Sequence, residues 1–193
     1  CRIDPWSVPT ARKVDLLREA CKAAQAGGKD VRVATAYMRA IREVKTFAST
    51  EGAHIVQTST ITSAGVRAVA VGAGEMQVRS YPGTFDGNVR QAGYEFVEEM
   101  DLAASSRRTG EEAQALLSAE QCPSGTMTVI LGTNQLALQI HESCGHPTEL
   151  DRVYGTEASF AGTSFLTTEK LASYRYGSDF VNLYADSRIP GGP

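Results

Sequence analysis

Between Val31 and Tyr81 the chain repeats one pattern: a short run in which β-branched or aromatic residues alternate with polar ones, then a turn. Nothing else in the sequence restricts the fold as much. Successive side chains of a strand point to opposite faces, so alternation marks a pleated segment with one face turned to a core. Strands joined by tight turns pair antiparallel, because a parallel neighbour needs a long crossover. The runs read as strands at 31–38, 41–47, 54–62, 66–71 and 76–81. Turns are expected at Ser49-Thr50-Glu51-Gly52, Gly72-Ala73-Gly74 and Pro82-Gly83, and a break at Gly65. The prediction is an antiparallel meander and not a βαβ array.

Helical periodicity flanks this sheet. Val14, Leu16, Leu17, Ala20, Cys21 and Ala24 share one face of a helix over 11–26, which Thr10 can cap and Gly27-Gly28 can end. Val89, Tyr94, Phe96, Val97, Met100 and Leu102 form the stripe of a helix over 86–105, and Ala113, Leu116 and Leu117 that of another over 110–119. After Cys122-Pro123-Ser124-Gly125, the apolar run 126–131 reads as a short buried strand feeding a helix over 135–140. The segment 181–186 reads as a last strand, with an edge on offer to an extended peptide. The fold class is α+β: an antiparallel sheet with packing helices, then a strand-helix unit. Two modules are expected, 1–115 and 116–193.

A chain of 193 residues, 42 % hydrophobic and 21 % charged, has the composition of a globular protein. Its net charge of −3 supplies no basic field, and Arg39, Arg42, Lys45, Arg67 and Arg79 have no aromatic stacking platform beside them. They read as the solvated face of the sheet, so nucleic acid is not an expected partner. No apolar run approaches the roughly 18 residues of a membrane span, and no signal-peptide layout opens the chain, so the expected location is cytoplasmic. Cys1, Cys21, Cys122 and Cys144 form no CxxC pair and read as reduced thiols. The start at Cys1 and the turn-like end at Ile189-Pro190-Gly191-Gly192-Pro193 suggest an internal piece of a longer protein.

Two of the three histidines fall in His141-Glu142-Ser143-Cys144-Gly145-His146, at the end of the helix over 135–140. Histidine is the commonest metal ligand, and a carboxylate beside a metal-activated water is a standard route to amide hydrolysis at neutral pH. In HExxH the histidines lie four apart, about 400° around a helix, and share a face. Here the interval is five, about 500°, which leaves them roughly 140° out of line on a regular helix. A π-bulge absorbs one extra residue and realigns them; alternatively the helix loosens at Gly145, ahead of His146-Pro147. Either way the helix should be distorted or ending by His146. Spacing alone leaves open a packing cluster that binds no metal. It also leaves open Cys144, Glu149 or Asp151 as a metal contact, and Cys144 as a nucleophile with a histidine base.

The segment His141–His146 followed by Glu149-Leu150-Asp151 resembles the HExxxH segment of the TldD/PmbA family, zinc metalloproteases also described as modulators of DNA gyrase. Phe47-Ala48-Ser49-Thr50-Glu51-Gly52 with Gln57, Gly65-Val66-Arg67 and 123–131 are similar to that family's segments in the same order. The resemblance implies His141 and His146 as Zn2+ ligands and Glu142 as catalytic base, acting on unfolded or extended peptides. It also implies a third ligand, a cysteine further downstream, so this stretch alone is expected to bind zinc weakly and to be inactive. It further implies a homodimer, or a heterodimer with a related subunit. The competing reading is a non-enzymatic regulator of DNA gyrase or of a toxin-antitoxin partner.

Overall fold

A computed structural model describes residues 1–72, 74–83, 88–186 and 188–192. They form two compact units, Cys1–Pro123 with Ser187–Pro193, and Ser124–Asp186.

The first unit is α+β. Helix α1 (Thr10–Gln25) leads into strands β1 (Val31–Ala48), β2 (His54–Gly72), β3 (Glu75–Tyr81) and β4 (Asn88–Arg90), followed by helices α2 (Tyr94–Glu99) and α3 (Leu102–Leu116). The sheet is antiparallel, in the order β1-β2-β3. Strand β4 pairs with Thr62–Ala64 of β2, beyond the end of β3. The residues 41–48 and 54–61 extend as a two-stranded ribbon past the rest of the sheet.

Four of the expected strands merge into two. Alternation continues through Arg39 and Ala40 with no glycine or proline to stop it, so β1 runs unbroken. Gly65 does not break β2, because it pairs with Tyr37, whose ring covers the bare backbone: a Cβ on Gly65 would lie 2.9 Å from the ring. The turn expected at Gly72-Ala73-Gly74 includes Ala73, which lies outside the described residues, as does the start of the helix expected from Asp86. Strand β4 and the short α2 occupy the described part of that helix, and the chain then breaks at Asp101, in the left-handed region at φ 43°. The Asp101 carboxylate accepts a bond from the Ala104 amide at 3.4 Å and caps α3. The helix expected over 110–119 is the second half of α3.

Ala64, Val66, Ala68 and Ala70 present one face of β2, all buried beneath α1 and α3 with Ala24, Val31 and Ala113. Tyr94, Phe96, Val97, Met100 and Leu102 close the other end of the core with Val8 and Ala20. Each large side chain among these contributes about 1.5–3 kcal/mol by burial. The irregular lead-in is fixed by Glu95, whose carboxylate accepts the amides of Arg2, Ile3 and Gly93 at 2.8–3.0 Å. Helices α1 and α3 meet backbone to backbone: a Cβ on Gly110 would stand 1.9 Å from the Ala24 carbonyl oxygen.

The second unit contains helices α4 (Thr133–Ile140) and α5 (Leu150–Tyr154), with the chain between them coiled in two non-α turns. None of its described residues is buried. The strands expected at 126–131 and 181–186 do not form: both are irregular, with Ile130 97 % exposed within the first and Phe180 95 % exposed directly before the second. A strand is stabilised by a neighbour, and among the described residues neither segment has one. The motif is carried by a helix without its feeding strand. No helix among the described residues is long and apolar enough to cross a membrane.

Candidate metal centre

Helix α4 begins after Gly132 and runs in regular α geometry to Ile140. From His141 to Gly145 the backbone widens into a π turn, closed by a bond from the His146 amide to the His141 carbonyl. His146–Thr148 then tightens into a 3-10 turn with Pro147 near its start. The extra residue in the interval is absorbed by a π turn, one of the two routes that the spacing allows. Gly145 contributes no special backbone, since its φ of −58° is open to any residue and a Cβ there would meet nothing closer than 3.9 Å.

The π turn brings the two imidazoles together, with ring centroids 4.4 Å apart and planes at 77°. Ligand atoms of His141, Glu142 and His146 all lie within 4.8 Å of one another. The Glu142 carboxylate stands 3.9 Å from Nε2 of each histidine, beyond hydrogen-bond range, so it closes on neither ring. Two imidazoles with a carboxylate beside them are a donor set suited to a metal ion such as zinc, which His141 and His146 would hold. Among the described residues this is the one group of three or more metal-competent side chains. His141 and Glu142 are 61 % and 58 % exposed and His146 only 28 %, so solvent and a substrate can reach the cluster from the His141 side.

A wide turn leaves carbonyl groups that no amide of the helix reaches. Here hydroxyls take them. Thr148 Oγ1 lies within bonding distance of the carbonyls of Cys144, at 2.9 Å, and Gly145, at 2.8 Å. The Tyr176 hydroxyl donates to the Ser143 carbonyl and also meets the Cys144 thiol, which raises its pKa. Cys144 is not part of the cluster. With Leu150, Tyr154, Leu171, Tyr174 and Tyr176 it lines an apolar cleft of about 490 Å³.

His146 is held from behind. Its Nδ1 lies 2.9 Å from Glu149 Oε1, and Glu149 Oε2 accepts from Arg152 Nε at 2.6 Å. The bond from His146, aided by Arg152, keeps the Glu149 carboxyl below the usual glutamate range, against a smaller opposing effect of burial. Asp151 is turned away, its carboxylate accepting the Arg152 amide at 2.8 Å. Sequence reasoning missed Arg152, Thr148 and the bond that Tyr176 makes to the turn. The spacing Glu149-x-x-Arg152 is the one signal that marks an ion pair in advance.

Residues 3–117 match the PmbA/TldA metallopeptidase central domain. A metalloprotease of Methanothermobacter thermautotrophicus is 30 % identical over 189 residues, an alignment that covers 97 % of this chain, the His141–His146 segment included, and 38 % of the relative. A metalloprotease of Methanocaldococcus jannaschii is 32 % identical over 101 residues, 51 % of this chain and 20 % of the relative. The chain thus spans well under half the length of the curated relatives it matches.

Proposed function

We infer that this chain, which belongs to the PmbA/TldD metallopeptidase family, contributes His141 and His146 to a zinc centre and Glu142 as the general base of peptide-bond hydrolysis. The observation that carries this reading is the π turn, which gathers three side chains that a regular helix would disperse. Zinc held there supplies Lewis acidity toward water and toward a peptide carbonyl. The chain's own part is set by position. With Nδ1 of His146 committed to Glu149, Nε2 keeps its lone pair for the ion. Glu142, bonded to neither imidazole, is free to take a proton on Oε from the attacking water and return it to the leaving amine.

The substrate we propose is an unfolded or extended peptide. An exposed cluster on a surface turn accepts an extended chain without requiring a shaped pocket for a folded partner. The assembly we propose is a dimer, of like chains or with a related subunit, and the activity is that of the whole protein, of which this chain represents a part.

The test uses the full-length protein, with bound zinc and cleavage of a flexible peptide measured side by side. Glu142→Gln should retain zinc and lose cleavage by about 100-fold or more. His146→Ala should lose zinc affinity beyond the roughly 10–100-fold typical of outer-sphere partners. Full activity in Glu142→Gln overturns the base assignment, and unchanged zinc binding in His146→Ala overturns the ligand assignment. Cleavage that survives chelation transfers the chemistry to Cys144 as nucleophile.

A further inference from the structure

Behind the metal cluster lies a side-chain arrangement that the proposed reaction does not itself use. Arg152 is the best-buried charged group of that arrangement, its side chain 22 % exposed. Its guanidinium divides among three targets: Nε to Glu149 Oε2 at 2.6 Å, Nη1 to the Ala161 carbonyl at 3.2 Å, and Nη2 at 3.2 Å from His146 Nδ1. Two of these neighbours make opposite demands on His146. Glu149 can accept from Nδ1 only when that nitrogen carries the proton, whereas Arg152 could donate to it only when it does not. The Glu149 contact is shorter, 2.9 against 3.2 Å, and joins a negative acceptor to an N–H donor, so the proton belongs on Nδ1. Nε2 is then the unprotonated nitrogen, on the side of Glu142 and His141.

We propose that Arg152 is a positioning residue of the metal centre: its guanidinium holds Glu149 against His146 Nδ1 and so fixes both the tautomer and the ring orientation that present Nε2. The proposal rests on the zinc-peptidase reading above. Without Arg152, the Glu149 carboxylate is free to swing into solvent, since its other oxygen would keep no partner within the described residues. The arm that holds it is itself braced. Ser164 donates its amide to the Arg152 carbonyl at 3.0 Å and its hydroxyl to the Pro147 carbonyl at 2.6 Å, and Arg152 Nη1 reaches the same loop at Ala161. The loop 155–164 is thereby tied to the residue that comes directly after the second histidine. A lysine at 152 keeps the charge but offers one compact ammonium, which cannot serve Glu149 and the Ala161 carbonyl together.

The experiment uses the full-length protein, first free of metal. The imidazole 15N signals of His146, assigned by comparison with His146→Ala, report which nitrogen carries the proton. Wild type should show the Nδ1–H tautomer. Arg152→Ala and Arg152→Lys should both shift toward a tautomer mixture, while Arg175→Lys, a change at an exposed ion pair of the same unit, should leave the signals unaltered. Zn2+ alone, titrated against a chelating indicator, should bind about 10-fold or more weakly to Arg152→Ala and less tightly than wild type to Arg152→Lys. Glu149→Gln, which keeps an acceptor oxygen, should fall between wild type and Arg152→Ala. The positioning role is overturned if both Arg152 variants keep the wild-type 15N pattern and zinc affinity. If wild-type protein binds no zinc, the peptidase reading fails, and the 15N signals still decide whether Arg152 sets the tautomer.

Discussion

Glu95 and Glu142 are both glutamates beside helices, and the structure uses them in opposite ways. Glu95 is buried, and although burial alone would raise its carboxyl, the amides of Arg2, Ile3 and Gly93 together with its own outweigh that and bring it down to about 2. A carboxylate whose pKa falls on folding contributes stability fully above its unfolded value, and that contribution is lost as pH drops through the folded value. Unfolding of the first unit, followed by the fluorescence of Trp6, the single tryptophan, should therefore show stability weakening from about pH 4.5 down toward 2, by about 3 kcal/mol from this group. In Glu95→Gln that part of the pH dependence should vanish, and an unchanged acid limb would mean that other carboxylates control it. Nothing in Gly93-Tyr94-Glu95 announces this role, because the two partners that tie down the lead-in, Arg2 and Ile3, lie 93 and 92 residues away in sequence. The metal cluster was legible for the contrary reason: its three side chains fall within six residues, and helix geometry relates them.

Among the elements, glycine was the residue most easily misread, because what decides its role is what faces it. Gly65 looks like a strand breaker and is a seat for the Tyr37 ring, and Gly110 looks like a helix start and is the crossing point of α1 and α3. Periodicity found the existence of α1, β3 and α4 to within a residue or two. It could not find the joins, since a continuous ribbon and two short strands have the same alternation. Gly110→Ala should destabilise the first unit by about 2–3 kcal/mol or more in urea, since the new methyl meets backbone that cannot step aside. Gly145→Ala, with open space around its Cβ, should cost less than about 1 kcal/mol in the same measurement. Equal effects of the two would discard the packing argument. The unpaired run 126–131 was misread for a related reason: hydrophobicity shows that a segment seeks cover, and leaves unstated what covers it.

At the scale of the whole molecule, the buried residues among those described all belong to the first unit, while the second displays Ile130, Phe160, Leu171, Phe180 and Tyr184 to solvent. A unit with no buried residue has little to oppose the entropy of its chain. Hydrogen exchange on this 193-residue chain should accordingly find slow amides within 10–25, 31–38, 62–72 and 102–116, and fast exchange throughout 124–186. Protection across α4 equal to that of α3 would contradict this. The same unit holds the turn on which the proposed chemistry depends, and one carbonyl of that turn is bonded by a hydroxyl 33 residues further along. Order in the turn that carries His141 and His146 should therefore rise with order at Tyr176. Protein surface or a peptide that settles the tyrosine segment into place should then also steady the turn between the two histidines, and metal affinity there should read out the folding of a distant stretch of chain.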